Sequence, residues 1–179
     1  MTIYFIRHCK TNQNSLNRWS GKADDLPSDE GLRQLENLKN SISFSPDIIF
    51  SSPLKRAILT AEAIKNKNTK LIVEDTIKER DFGLLEGTEV IAKDKKMLAD
   101  IEINTDLGLN VEKINDMYQN RIKPFLNRLK SNYKDSNKKI VIVSHSWVGR
   151  LIAYFASKET KPSVIQVTPH NATIYKYII

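Results

Sequence analysis

The sequence predicts a three-layer α/β/α sandwich around a mostly parallel central sheet. Short apolar, β-branched runs alternate with longer stretches of helical periodicity, the pattern of α/β domains. Three of those runs lead straight into polar residues, as strands do when their carboxyl ends open onto a site. Across 179 residues there is no repeat, low-complexity tract or linker. The chain is therefore read as one domain over residues 1–179.

Taken in order, residues 2–6, 47–50, 70–73 and 140–143 read as buried strands bounded by polar residues. Residues 163–167 and 173–178 read as two further strands. Residues 29–41 carry Leu32, Leu35 and Leu38 on one helical face. Residues 53–65 open with a proline at a helix N-terminus, a favoured place for it. Residues 111–130 carry Ile114, Met117, Ile122, Phe125 and Leu129 as an amphipathic stripe. Residues 147–157 form a helix directly after the fourth strand. Residues 88–110 are the least regular stretch and are read as an insertion or lid.

Composition narrows the function classes. Hydrophobic residues are 40% and charged residues 27%, close to the globular average, which argues against a disordered or fibrous chain. No apolar run approaches the roughly 18 residues of a membrane span. No signal-peptide pattern opens the sequence. A single cysteine, Cys9, excludes an internal disulfide and fits a reducing, cytoplasmic setting. The net charge of +7 reads either as attraction of anionic ligands or, the preferred reading, as a lysine-rich bias, since Lys, Asn and Ile are abundant throughout. The basic residues form no compact run interleaved with aromatics, so nucleic acid is not expected as a partner. No interface pattern fixes an oligomeric state.

The chemistry gathers at three strand ends. The first runs into Arg7 and His8, the second into Ser51 and Ser52 with Arg56 in the next helix, and the fourth into Ser144 and His145. If these strands are parallel neighbours, two guanidiniums and two imidazoles converge on one dianion site. Arginine forks match phosphate oxygens and stay charged at any working pH. A neutral imidazole among cations is a competent nucleophile toward phosphorus. The leaving alcohol then needs a proton from a carboxylic acid of raised pKa.

These residues resemble a known family. Arg7-His8-Cys9-Lys10-Thr11 with Asn14 resembles the R-H-G-x-T-x-x-N opening of the histidine phosphatase superfamily, the phosphoglycerate mutase-like enzymes. Trp19-Ser20-Gly21 and Ser28-Asp29-Glu30-Gly31 look like its next blocks. Ser51-Ser52-Pro53-Leu54-Lys55-Arg56-Ala57 with Thr60-Ala61, then Glu79-Arg80-Asp81-Phe82-Gly83 with Glu86-Gly87, then Val143-Ser144-His145 with Arg150, resemble the remaining ones.

The resemblance implies that His8 becomes phosphohistidine, and that Arg7, Arg56 and His145 bind the phosphoryl group. It implies Glu79 as general acid and then base, with Glu86 and Asp81 as fallback acids. Asn14, Thr11, Gly21 and Ser146 would line the substrate, a small phosphorylated metabolite. No cofactor and no metal is implied. His170 reads as structural.

Three departures stand out. Cys9 replaces the family glycine, which reads as tolerance of a small residue, with an oxidation-sensitive thiol as the rarer reading. A cysteine phosphatase would need His-Cys-x5-Arg, but the fifth intervening residue after Cys9 is Asn14 and the next is Ser15, not arginine. Ser146 replaces a glycine, and Trp147 after it would narrow the pocket or bind an aromatic or sugar group. The family's mutases carry an extended insertion after the acid loop, whereas about sixty residues separate Glu79 from His145 here. That favours a phosphatase over a mutase. A non-catalytic phosphate-binding module is the alternative from another class.

Overall fold

The computed structural model describes residues 1–91, 108–157 and 168–179. Five strands form one sheet: β1 (Thr2–Arg7), β2 (Ile48–Ser51), β3 (Lys70–Val73), β4 (Ile140–Ser144) and β5 (Ile174–Ile178), in the order β3-β2-β4-β1-β5. The pairs β2·β3, β2·β4 and β1·β4 are parallel, and β5 runs antiparallel to β1 at the edge. The three strands that lead into functional residues are thus immediate neighbours, with β4 in the middle. Register does the rest. Arg7 pairs with Ser144 and Ser51 with Val143, so His8 and His145 both lie one residue past the Arg7–Ser144 pair.

Alternation of side chains distributes the strands between two apolar clusters. Ile3, Phe5, Ile48, Phe50, Ile140 and Ile142 pack against α5 (Lys123–Tyr133), α6 (Ser146–Ser157) and the turns before α5. Ile6, Ile49, Val141 and Val143 face Leu38 of α2 (Asp29–Ser41) and Ala57, Ala61 and Ile64 of α3 (Lys55–Ile64). β4 is buried along its whole length. This is the expected three-layer sandwich. A four-residue α1 (Asn12–Ser15) follows the first strand. No helix of the described residues is long and apolar enough to cross a membrane.

The helix read at 111–130 is interrupted. A short α4 (Ile114–Met117) passes through a π-turn (Tyr118–Ile122) before α5 begins. Pro124, in the first turn of α5, lacks the N–H an uninterrupted α-helix would need, and the wider turn precedes it. Pro53 lies just ahead of α3, not inside it, since Leu54 is the capping residue. Leu32, assigned to the apolar face of α2, is 53% exposed. The contact there is made by Gly31, over which the backbone of Lys10 passes. The expected strand 163–167 and most of the expected lid 88–110 lie outside the described residues.

α2 is well started. Ser28 caps it by accepting from the Gly31 N–H at 3.2 Å, and Asp29 and Glu30 complement the positive end of the helix dipole. A Cβ on Gly31 would stand 1.9 Å from the Lys10 carbonyl oxygen. Since the obstacle is backbone, Gly31→Ala is expected to destabilise the fold by about 1–3 kcal/mol, as overpacking does. Urea unfolding measures this, and an unchanged midpoint would refute the close approach.

Candidate active site

Beyond the sheet's carboxyl edge the backbone is held on all sides. The His8 N–H donates to the Ser144 carbonyl at 2.8 Å, and the Asn171 Nδ2 donates to the His8 carbonyl at 2.8 Å. The Cys9 N–H donates to Thr60 Oγ1 at 3.0 Å. His8 Nδ1 lies 2.7 Å from the Cys9 carbonyl oxygen. A carbonyl only accepts, so Nδ1 carries the proton and Nε2 keeps the lone pair.

The second histidine is fixed as firmly. The Arg56 Nε–H donates to His145 Nδ1 at 3.3 Å, so that nitrogen is the acceptor. Its Nε2–H then donates to Ser52 Oγ at 2.7 Å. The two imidazole centroids are 5.1 Å apart. Arg56 is fully buried, and its remaining donors reach the loop at 20–23: Nη1 to the Ala23 carbonyl at 2.7 Å, Nη2 to the Gly21 carbonyl at 2.5 Å. Arg7 Nη1 donates to the Pro169 carbonyl at 3.0 Å, while its buried Nε has no hydrogen-bond partner among the described residues. An unpaired buried donor is costly, and a phosphate oxygen would satisfy this one.

Glu79 is buried in the loop after β3. Its Oε1 accepts from the Arg80 N–H at 2.9 Å and from the Trp147 N–H, in the first turn of α6, at 3.2 Å. Burial raises its pKa above the usual 4.5, against these hydrogen bonds and the charges of Arg56 and Arg7. Both histidines go the other way. Burial first, then the charge of Arg56, pushes His8 and His145 well below 6.5. Burial also lowers Arg7 and Arg56, with the nearby Glu79 charge restoring part of it. The site therefore holds neutral imidazoles beside a carboxyl inclined to keep its proton.

These shifts link stability to pH. Each histidine contributes stability that is complete above 6.5 and lost as pH falls below it, because the unfolded chain takes up the proton. Glu79 opposes them: its contribution is complete below 4.5 and lost as pH rises through its folded value. With two histidines set against one carboxyl, unfolding free energy is expected to fall as pH goes down from 6.5. Urea titrations across that range test it, and His8→Ala should make the fall shallower; an unchanged fall would refute a buried neutral imidazole at His8.

The other expected site residues take three different places. Thr11 and Asn14 cap each other at the start of α1: Thr11 Oγ1 accepts the Asn14 N–H and Asn14 Oδ1 accepts the Thr11 N–H, both at 3.3 Å. Gly21 is a packing glycine, where a Cβ would meet Glu86 Oε1 at 2.0 Å and the Arg80 carbonyl at 2.5 Å. Ser146 opens α6 beside His145, half-buried.

The fallback acids are engaged elsewhere. Glu86 accepts from the backbone N–H groups of Gly21, Lys22 and Phe82 at 3.0–3.2 Å. Asp81 pairs with Lys22 at 2.5 Å and accepts from the Gly83 N–H. Both tie the acid loop to the loop that caps Arg56. The His170 side chain is exposed. Cys9 is buried without a left-handed φ, so glycine is not required there. Burial raises its thiol pKa, which removes the basis for the oxidation-sensitive reading.

Sequence reasoning named Ser52 and Arg80 within their motifs without giving either a role, and it missed Asn171. The paired serines at the end of β2 were a usable signal for Ser52. Nothing local marks Asn171, which reaches the site across 163 residues of chain.

Comparison with known proteins follows the same lines. The model of the family described as "Histidine phosphatase superfamily (branch 1)" matches residues 3–179. Phosphoserine phosphatase 1 of Hydrogenobacter thermophilus is 32% identical over 151 residues, spanning 80% of this chain and 70% of that protein. The uncharacterized phosphatase PhoE of Bacillus subtilis is 34% identical over 145 residues, with the same coverage of 80% and 70%. A crystal structure of phosphoserine phosphatase from Entamoeba histolytica in complex with 3-phosphoglyceric acid is similar with a TM-score of 0.78. It is 26% identical, and the match covers 99% of this chain and 90% of that one.

Proposed function

The chain belongs to the histidine phosphatase superfamily, branch 1, and on that premise we propose that it hydrolyses small-molecule phosphomonoesters through a phosphohistidine on His8. The observation that carries this reading is the state of His8. Its Nδ1–H is committed to the Cys9 carbonyl, its ring is kept neutral by burial and by Arg56 and Arg7, and its Nε2 lone pair remains for phosphorus.

In the first step Nε2 attacks the phosphoryl group and the bond to the alcohol oxygen breaks. Glu79 gives its proton to that oxygen, and Arg7, Arg56 and His145 balance the charge on the phosphoryl oxygens. In the second step the Glu79 carboxylate takes a proton from water. The hydroxide attacks phosphorus, the P–Nε2 bond breaks, and inorganic phosphate leaves with Glu79 protonated again. Hydrolysis is complete and the site is restored.

Glu79 also lines a cleft of about 330 Å³ with Lys22, Lys78 and Arg121 and with Asp75, Asp81 and Glu112; Arg7, His8, Arg56 and His145 do not line it, so it would take the leaving group and not the phosphate. Each cation is paired with one of the carboxylates, so the cleft is polar with little net field. That suits a small polar alcohol, and the relatives named phosphoserine phosphatase make phosphoserine the first substrate to try.

Phosphate release from phosphoserine, phosphoglycerates, sugar phosphates and 4-nitrophenyl phosphate tests the activity. Trapping an acid-labile, alkali-stable phosphoryl group on His8 by mass spectrometry tests the mechanism. A phosphorylated Cys9 would overturn the mechanism. Phosphoryl transfer between hydroxyls without phosphate release would make the protein a mutase, and no turnover of any ester would make it a binding module.

Glu79→Gln is expected to lower kcat on alkyl phosphates by about 10²–10⁴-fold, the usual worth of a general acid. Nitrophenolate needs no proton to leave, so 4-nitrophenyl phosphate should lose far less. Equal losses on both would assign the acid elsewhere.

A further inference from the structure

Resting on Glu79 as the acid of that reaction, we propose that the stack of Arg80 on Trp147 is a clamp that holds the Glu79 carboxyl in place, which makes Arg80 and Trp147 positioning residues.

The two N–H groups that bind Glu79 Oε1 come from separate parts of the chain, Arg80 in the acid loop and Trp147 at the start of α6. The side chains of these same two residues meet. The Arg80 guanidinium carbon lies 4.9 Å from the Trp147 ring centroid, within the range of a cation–π contact. Carboxylate, loop, guanidinium, indole and helix thus close a ring. Neither the loop's N–H nor the helix's N–H can drift from Oε1 while the stack holds.

The clamp is itself anchored. Arg80 is fully buried and its Nε–H donates to the Glu112 carbonyl at 2.6 Å. The Arg150 guanidinium, one helical turn on from Trp147, lies 4.7 Å from the same indole. Trp147 also packs on Phe82 and Leu85 from the acid loop. The Glu79 segment needs such support, because residues 78–82 form no regular element between the short turns Asp75–Ile77 and Gly83–Leu85. A general acid must sit within hydrogen-bond reach of the leaving oxygen, and small displacements are costly in rate. The charges facing Glu79 are Arg7 from β1, Arg56 from α3 and Arg150 from α6. None of these arginines is altered in the test.

The test compares Trp147→Phe, which keeps an aromatic face, with Trp147→Leu, which keeps apolar bulk without one. Each is assayed on phosphoserine and 4-nitrophenyl phosphate beside wild type and Glu79→Gln. Trp147→Leu should lower kcat on phosphoserine by about 10- to 100-fold with KM little changed, and 4-nitrophenyl phosphate should change by less than about threefold. Trp147→Phe should recover most of the loss. Arg80→Met should behave like Trp147→Leu. Trp147 is half-buried, so Trp147→Gln is the second variant if Trp147→Leu fails to fold. Selective loss in Glu79→Gln, together with equal losses on both esters in Trp147→Leu, would overturn the clamp and leave the acid standing. So would a Trp147→Phe variant no better than Trp147→Leu. Absence of selectivity in Glu79→Gln would overturn the acid and the clamp together.

Discussion

Alanine in place of His8 is expected to lower turnover by about 10⁴-fold or more and to abolish the phosphoenzyme, because among the described residues neither neighbouring candidate, Cys9 or His145, is free to act as a second nucleophile. Cys9 is adjacent, but its thiol is buried and its pKa raised. His145 has one ring nitrogen accepting from Arg56 and the other bonded to Ser52. Substrate binding should survive, since Arg7, Arg56 and His145 remain, so His8→Ala should still bind phosphoserine within about tenfold of wild type. That split separates a nucleophile from a binding residue. Phosphate release within tenfold of wild type would remove His8 from the chemistry. Complete loss of binding would mean that the imidazole mainly shapes the pocket.

The ends of β1, β2 and β4 were legible because apolar β-branched runs stop abruptly at Arg7-His8, Ser51-Ser52 and Ser144-His145. A parallel sheet then needed only to make those strands neighbours, and β4 lies between the other two. The antiparallel direction of β5 was not legible, because its residues carry the same periodicity in either sense. Glu79 was named as the acid from the resemblance, but what engages the two fallback acids was not legible. Glu86 and Asp81 are occupied by backbone N–H groups and by Lys22, partners that only the folded loops bring near. Thr11 and Asn14 carried a further local signal, a capping pair at i and i+3, which the sequence reading did not use and which the structure shows beside their expected place at the substrate. Gly31 was matched as part of a motif. Its physical reason, the Lys10 backbone lying where a Cβ would stand, appears only when α2 docks on the first loop.

Arg56 carries the second large effect, and it acts on stability, rate and pH together. One buried guanidinium satisfies His145 Nδ1 and the carbonyls of Gly21 and Ala23. Arg56→Met fills similar volume and leaves those acceptors unpaired. At roughly 1–3 kcal/mol for each buried group left unsatisfied, partly relieved by relaxation of the 20–23 loop, the loss should be about 3–5 kcal/mol. Turnover should fall at least about 10³-fold, as when a preorganised donor and charge leave a phosphoryl site. The pH dependence separates these causes. Arg56 is the second contribution, after burial, that holds His8 and His145 below 6.5. Without its charge both pKa values rise, so the acid limb of residual kcat/KM should move to higher pH. Arg56→Lys should restore that limb, because the charge returns. It should not restore the stability, because one ammonium lacks the planar spread of donors that spans two carbonyls and a ring nitrogen. An acid limb that stays put in Arg56→Met would show that burial alone sets the histidines, and that the guanidinium serves the fold and the phosphate but not their protonation.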